Sequence, residues 1–330
     1  MRVKRTRATE DPVAVIRPNE HYFAVRVNEL FLTNSREWLR TYDPMVFVLT
    51  EFTYGSEHKK VPFLVGPSLL KDLENLPQGM IFRNTRVAGL HPYRGGRFVH
   101  TVVLSRIKRG DFARDLLGLV EKVSGSLDFS SALGTYTKLS GVLLDGFEKI
   151  LGLSDTEPLV GFRGEFDPGF EERFVPGYFA LIDAQASDVD HDSLWVVDGA
   201  LHYGPSEAEL VPYRDTDFVL YSIGGTSRRT DDSVLPFYPL FEQVIRSASK
   251  PGEDDWKRAK ANMLTLYEAL ILSADLTHGQ AEKLADDYVE RMKTARNRAE
   301  TFGRLEVAAG QASVSGVEEK VAKAITILDL

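Results

Sequence analysis

Three carboxylates on alternate residues, with a histidine among them, form the cluster of this sequence that most resembles a chemical site. Asp188, Asp190 and Asp192 have the spacing of the first three ligands of a calcium loop, and His191 offers a nitrogen ligand. An EF-hand loop also needs glycine at its sixth position and glutamate at its twelfth, and this chain has neither there. We therefore predict an Asx-type turn, in which the aspartates accept backbone N–H groups, and no bound metal. Adventitious binding of a cation is the alternative.

The residues after this cluster predict a β-hairpin. Asp198-Gly199 separates two apolar runs, and a two-residue type I′ turn needs positive φ at both of its central positions. Such a turn places Trp195 opposite His202, as a cross-strand aromatic pair. We therefore assign His202 to packing, and a metal triad with the aspartates is the alternative.

A segment rich in glycine and arginine, SIGGTSRRTDD at 222–232, follows a predicted strand and precedes a predicted helix. Glycines can turn backbone N–H groups toward an anion, and two adjacent arginines can clamp it. Neither a Walker sequence nor GxGxxG is present. The candidate site for an anionic small ligand or an acidic partner consists of Gly224, Gly225, Thr226, Ser227, Arg228 and Arg229. A polar loop with two solvated arginines is the alternative.

The turn GEFDPGFEER carries four further carboxylates, those of Glu165, Asp167, Glu171 and Glu172. Paired carboxylates can perform acid–base chemistry, but in a turn that contains proline and glycine they are more simply solvated charges. The catalytic patterns GxSxG, HExxH and HxE…PCxxC do not occur. We assign no catalytic residue and no cofactor, and the sequence favours a protein without catalytic activity.

Composition limits the class of protein. The chain of 330 residues is 43% hydrophobic and 27% charged, which is typical of globular domains, and its length supports two domains. It contains no cysteine, which excludes disulfides, thiolate metal sites and cysteine nucleophiles and favours a reducing, cytoplasmic location. The sequence contains no run of about 18 apolar residues, so it does not predict a transmembrane helix. The basic N-terminus is not followed by the apolar segment of a secretory signal.

Charge is distributed unevenly along the chain. Residues 1–144 carry a net charge of +7, residues 145–232 carry −13, and residues 233–330 carry −2. The acidic middle section argues against a nucleic-acid partner, because phosphate contacts need clustered lysine and arginine. Opposite charges in different sections instead favour docking of a protein partner or self-association.

The first hundred residues read as strands. Apolar and polar residues alternate in HYFAVRVNELFL, and MVFVLTEFTY, VPFLVG and RFVHTVVLSRI are rich in β-formers. These runs predict an antiparallel β-sandwich. The order of an alternating strand, a loop and YDPMVFVL resembles the opening of C2-type β-sandwiches over residues 20–108. A calcium-dependent C2 domain needs paired aspartates on its loops, and Asp43 stands almost alone, so calcium binding is not expected there.

Helical spacing dominates two later parts of the chain. DFARDLLGLVEKV and the broad apolar stripe of residues 129–151 predict a helical pair. Near the C-terminus, Thr277 and Gln280 form a capping box ahead of a further helix. The helix before it is predicted to bury Trp256, Ala259, Met263, Tyr267 and Leu270, and the helix after the box is predicted to bury Ala281, Leu284, Tyr288 and Met292.

We therefore predict an α+β protein with an N-terminal antiparallel β-sandwich and a C-terminal helical bundle. Its sections are a basic N-terminal arm (1–19), a β-sandwich domain (20–110), the helical pair (111–153), an acidic β-rich section (154–232), C-terminal helices (233–302), and a linker with a terminal amphipathic helix (303–330).

The function expected from these features is that of a non-enzymatic interaction protein, a subunit or adaptor of a larger intracellular assembly. A protein partner can dock on the apolar stripe of the terminal helix, formed by Val317, Val321, Ile325 and Leu328. One alternative is a hydrolase or transferase that acts on an anionic small molecule at the Gly224–Arg229 segment. The other is a peripheral membrane protein that binds through a C2-like sandwich and the 129–151 helix.

Overall fold

A computed structural model describes residues 1–7, 13–33, 36–37, 40–65, 85–108, 156–168, 172–185 and 187–310. The chain divides into two compact units, Met1–Asp231 and Asp232–Leu330. The predicted helical pair at 111–153 and the predicted terminal helix lie outside the described residues.

The described residues of the first unit form β-strands and two short 3-10 helices. The 3-10 helices cover His191–Ser193 and Glu207–Glu209. The strands are β1 (Arg2–Val3), β2 (Arg5–Arg7), β3 (Tyr22–Phe31), β4 (Arg36–Glu37), β5 (Arg40–Tyr54), β6 (Glu57–Val65), β7 (Thr85–Pro92), β8 (Phe98–Lys108), β9 (Thr156–Phe166), β10 (Gly177–Ile182), β11 (Leu194–Val197), β12 (Ala200–Tyr203), β13 (Val211–Pro212) and β14 (Phe218–Thr226).

A central antiparallel sheet has the strand order β1-β10-β14-β3-β7. In β14, Val219, Tyr221 and Ile223 belong to one apolar core, whereas Phe218 and Leu220 belong to another. Since successive side chains of a strand point to opposite faces, the central sheet is buried on both faces. A strand with two buried faces reads as a continuous apolar run, which is what FVLYSI shows.

The long sheet covers one face of the central sheet. Its order is β4-β5-β8-β9, and β6 pairs with β5. Alternate residues of β5 and β8 enter the shared core, where the rings of Phe52 and Phe98 each meet Phe23 of β3 edge-on at 5.1 Å between centroids. Such edge-to-face contacts add about 1 kcal/mol each to the burial of the rings.

The small sheet covers the other face and has the order β13-β12-β11-β2. Its β11 and β12 contribute Leu194, Val196 and Leu201 to a core shared with β14 and β3. The first seven residues join both sheets, because β1 pairs with β10 and β2 pairs in parallel with β11.

A fully buried carboxylate links the central sheet to the small sheet. Glu29 of β3 accepts a hydrogen bond from the backbone N–H of Leu201 in β12 at 2.6 Å, and another from Arg214 Nη2 at 2.7 Å. The guanidinium of Arg214 also lies over the ring of Phe31, 5.0 Å from its centroid. Burying a charge is costly unless it is paired and hydrogen-bonded, and both carboxylate oxygens of Glu29 have partners.

The second unit contains a short 3-10 helix (Asp232–Val234) and helices α1 (Tyr238–Ala248), α2 (Glu253–Ile271) and α3 (His278–Gly310). Three acidic residues open α2, where they complement the helix dipole. The backbone N–H of Gln280 donates to Thr277 Oγ1 at 3.4 Å, so Thr277 caps α3 as predicted. None of the described helices is long and apolar enough to cross a membrane.

The core of this unit follows helical spacing with one exception. Ala281, Tyr288 and Met292 of α3 are buried as predicted, and Tyr288 stacks on Phe241 of α1 with ring centroids 3.9 Å apart. In α2, however, Leu266 is buried whereas Tyr267 is 48% exposed. Leu266 and Tyr267 lie three and four positions after Met263, and both spacings fit one stripe of a helix, so spacing alone does not distinguish them.

The prediction of an α+β protein with antiparallel sheets is confirmed, with β2 and β11 as a parallel pair. Three features of the described residues bear on the predicted sections. Strands β3 and β7 from 20–110 and strands β10 and β14 from 154–232 belong to one sheet, the central sheet. The first residues of the predicted basic arm are strands β1 and β2. Helix α3 continues to Gly310, into the segment predicted as a linker.

The Glu29–Arg214 pair gives a stability prediction. Glu29→Gln should lower the free energy of unfolding by about 3 kcal/mol, because it leaves the guanidinium of Arg214 without its counter-charge between packed rings. Urea unfolding followed by circular dichroism measures this change. The control is Lys4→Gln, which removes the exposed Lys4–Asp192 pair and should have no measurable effect. Equal losses in the two variants would contradict a special role for the buried pair.

Candidate functional site

The aspartate cluster forms the turn that leads into β11. Asp190 Oδ1 accepts the backbone N–H of Asp192 at 3.1 Å, so Asp190 makes the predicted turn contact. The other two carboxylates bind side chains instead: Asp188 accepts the hydroxyl of Ser187 at 2.9 Å, and Asp192 pairs with Lys4 at 3.2 Å. His191 is exposed, and its Nδ1 lies beside the sulfur of Met1. Among the described residues, no group of three or more His, Asp or Glu side chains has the arrangement of a metal site.

The predicted hairpin register is confirmed. Asp198 and Gly199 have φ of 50° and 74°, and Trp195 lies opposite His202. Trp195 Nε1 donates to the carbonyl of Gly204 at 3.0 Å, and His202 Nδ1 lies 3.1 Å from the carbonyl of Ala200. Both side chains of the pair therefore have polar contacts within their own hairpin.

The glycines of the anion-site candidate lie in a strand and not in a loop. Gly224, Gly225 and Thr226 are the last residues of β14, and they pair with β3. A Cβ on Gly225 would lie 2.8 Å from Ile16 Cγ1, so glycine is needed there for close packing.

The polar residues of this candidate contact one another and their neighbours. Thr226 Oγ1 donates to the carbonyl of Arg228 at 3.0 Å. Ser227 and Arg228 are exposed. Arg229 is buried and binds Asp231 through two hydrogen bonds, Nε to Oδ1 at 2.7 Å and Nη2 to Oδ2 at 3.0 Å. The carboxylate of Asp231 thus occupies the arginine fork that would have to hold an external anion.

The other predicted candidates are placed as follows. Glu165 binds Arg97 Nη2 at 2.8 Å, and Glu172 accepts the backbone N–H of Asp167 at 3.0 Å. The apolar stripe of Val317, Val321, Ile325 and Leu328 lies outside the described residues, as does Glu171.

A buried histidine–tyrosine pair is the polar feature that the sequence did not reveal. His100 Nε2 of β8 and Tyr221 Oη of β14 lie 2.8 Å apart across the core between the long and central sheets. Burial lowers the pKa of His100 to about 4 and raises the pKa of Tyr221. Both groups are therefore neutral near pH 7, and the pair is a hydrogen bond between uncharged groups in an aromatic core.

His100 fits against the backbone of β9 because residue 164 has no side chain. A Cβ on Gly164 would lie 2.3 Å from His100 Cε1 and 2.8 Å from Phe162 Cε1. The ring of Phe166 stacks on the same imidazole at 6.0 Å between centroids. The sequence signal for this placement was the alternation in RFVHTVVLSRI, which puts residue 100 on the face of Phe98, Val102 and Leu104.

A second buried histidine, His91, stacks on Phe52 at 4.8 Å between ring centroids. Burial, together with the positive charges of Arg229 and Arg86, lowers its pKa to about 3. Its Nδ1 has no hydrogen-bond partner among the described residues. His91 is therefore a neutral member of the core.

On the outer face of the long sheet, one carboxylate contacts three basic side chains. Glu51 of β5 is nearly buried, and Lys60 Nζ and Arg163 Nη1 each lie 3.2 Å from its oxygens, with His58 Nε2 at 3.6 Å. Burial raises the pKa of Glu51, but the hydrogen bond from Lys60 and the charges of Lys60 and Arg163 outweigh that effect and hold it below its usual value.

The second unit presents large apolar side chains to solvent. Leu264 and Tyr267 of α2 are 69% and 48% exposed, and Leu272, just after the helix, is 82% exposed. Residues three apart are neighbours on a helix surface, so Leu264 and Tyr267 form one apolar patch.

Comparison with protein families, with curated proteins and with solved structures finds no match to this chain.

Two glycines of β9 provide a matched test of the His100 site. Gly164→Ala should lower the free energy of unfolding by about 2 kcal/mol, because the new Cβ displaces a hydrogen-bonded ring from a packed core. Gly161→Ala on the same strand is the control, since the nearest atom to its Cβ would be Val103 Cγ2 at 3.5 Å, an ordinary van der Waals contact. Urea unfolding measures both, and equal stability of the two variants would contradict the tight fit.

The buried histidines predict a stability that depends on pH. Their pKa values of about 3 and about 4 in the folded state lie below the ordinary value of 6.5. Their contribution to stability is therefore complete above pH 6.5 and is lost as the pH falls toward 4. In this range the histidines are protonated in the unfolded chain but remain neutral in the folded chain, so acid favours unfolding.

Replacing His100 by phenylalanine removes one of these titrating groups. The fall in unfolding free energy between pH 6 and pH 5 should become shallower by about 1 kcal/mol per pH unit. Urea midpoints at the two pH values measure the slope. An identical slope in H100F would show that His100 does not titrate differently on unfolding.

Proposed function

We propose that this chain is a non-enzymatic interaction protein, a subunit or adaptor of a larger protein assembly. The observation that supports this proposal is the exposed apolar patch of Leu264 and Tyr267, with Leu272 beyond the end of the helix. An apolar patch on a helix fits a partner that offers an apolar groove or a second amphipathic helix. The cysteine-free composition remains the argument for a cytoplasmic location.

Three of the charged groups that could perform chemistry have partners within the described part of the chain. Arg229 binds Asp231, Glu51 binds Lys60 and Arg163, and Glu29 binds Arg214. These contacts use the same donors and acceptors that a substrate would require. The proposed activity therefore resides in surfaces that exclude water on contact with another protein.

Neither alternative function gains a specific observation. The hydrolase or transferase proposal needs an open Gly224–Arg229 loop, and the paired state of Arg229 does not favour it. The membrane proposal rests on a C2-like sandwich and on the 129–151 helix, and that helix lies outside the described residues.

The interaction proposal predicts that charge in the patch abolishes partner binding. We expect the wild-type chain, purified by affinity from its native host, to carry a partner in stoichiometric amount. Leu264→Glu combined with Tyr267→Glu should lose it, because two carboxylates cannot be buried in an apolar contact. Quantitative mass spectrometry of the eluates measures the ratio.

Thr265→Glu is the control, since Thr265 is exposed on the same helix outside this patch. It should retain the partner, and circular dichroism should show equal helix content in all variants. A wild-type protein that elutes alone, or a partner retained by the double variant, would contradict the proposed role of the patch.

A further inference from the structure

Strand β9 forms an open edge of the long sheet. In the described part of the chain it pairs with β8 alone, and β10 approaches it from the central sheet without joining its ladder. Gly161, Phe162, Arg163 and Glu165 are exposed. Phe162 is the one exposed aromatic side chain among the described residues of the first unit, at 44%. A long edge strand with an exposed aromatic residue is suited to pairing with another strand.

The charges on the outer face of this sheet alternate in sign along a row that ends at β9. Lys60 of β6 binds Glu51 of β5, and Glu51 binds Arg163 of β9. On the same face and strand, Glu165 binds Arg97. The edge strand therefore carries a positive and a negative side chain two residues apart. Each already belongs to an ion pair, and a strand added at this edge could contribute a further charged partner.

Symmetry limits how β9 could pair with the same strand of a second copy. A two-fold axis perpendicular to the sheet keeps each side chain on its own face. In a given register, the residue numbers of every pair of opposed residues therefore add up to the same even number. A sum of 326 places Arg163 opposite itself, which is repulsive. A sum of 328 places Arg163 opposite Glu165 twice and puts Gly164 on the axis.

We propose that two copies of this chain associate through antiparallel pairing of β9 about Gly164, so that their long sheets become one continuous sheet. In this register, Arg163 meets Glu165 of the second copy, and the alternating row runs unbroken across the interface from Lys60 of one copy to Arg97 of the other. The other face gains as well, because exposed Phe162 comes opposite Phe166.

The interface between the two copies is small, so we expect the dimer to be weak. Pairing over residues 161–167 involves one strand per copy, and interfaces well below about 1,200 Å² are typically weak or transient. We therefore expect a monomer–dimer equilibrium with a dissociation constant on the order of micromolar or weaker. This association goes beyond the proposed function, because it needs no other protein.

Cysteine cross-linking tests the register directly, since the chain has no cysteine of its own. Arg163→Cys protein mixed with Glu165→Cys protein should give a disulfide-linked dimer under mild oxidation, because directly opposed Cβ atoms are about 5 Å apart. Arg163→Cys alone should stay monomeric, since its own copies lie diagonally at about 7–8 Å. A dimer from Arg163→Cys alone, or no dimer in the mixture, would each overturn the proposal.

Charge reversal tests the same pairing without oxidation. Sedimentation equilibrium of the wild type should show concentration-dependent dimerisation, and Arg163→Glu should weaken it about tenfold by opposing two pairs of like charges. Arg163→Glu with Glu165→Arg should restore the wild-type constant. Because Arg163 also binds Glu51, circular dichroism of each variant must match that of the wild type. A folded wild type that remains monomeric up to millimolar concentration, or a double variant no better than the single one, would refute the pairing.

Discussion

Both faces of the central sheet are buried, and the rest of the first unit is organised by this constraint. A sheet without a solvent face needs two apolar layers, and β14 supplies side chains to both of them. The long sheet and the small sheet cover these faces. Two polar contacts connect the layers across these faces: Glu29 binds Leu201 and Arg214, and His100 binds Tyr221.

Local structure followed from the sequence wherever a residue type imposes one backbone geometry. The Asp198-Gly199 turn fixed the register of a whole hairpin, including the pair of Trp195 and His202. Thr277 fixed the start of a helix in the same way. These features depend on residues within a few positions of one another, so no information about the remainder of the chain was needed.

The pairing of distant segments could not be obtained in this way. β3 lies between β7 and β14. Other strands of the chain have the same apolar–polar alternation, so composition alone does not identify β7 and β14 as its neighbours. Gly224 and Gly225 show how a local reading goes astray. Two glycines beside two arginines are typical of an anion-binding loop, but the contact that requires glycine is with Ile16, some two hundred residues earlier. Glycine is needed at residue 164 for a similar reason, since a Cβ there would meet the ring of His100, which is also distant in sequence.

The separation of β3 from β14 has a consequence for how the protein is made. About 190 residues lie between the end of β3 and the start of β14, which the ribosome adds in roughly 10–40 s. During that interval one side of β3 has no permanent neighbour, while the β5–β6 hairpin closes soon after both of its arms emerge. Nascent chains would thus expose apolar side chains of β3 until translation is two-thirds complete. Exposed apolar segments of this kind are what chaperones bind.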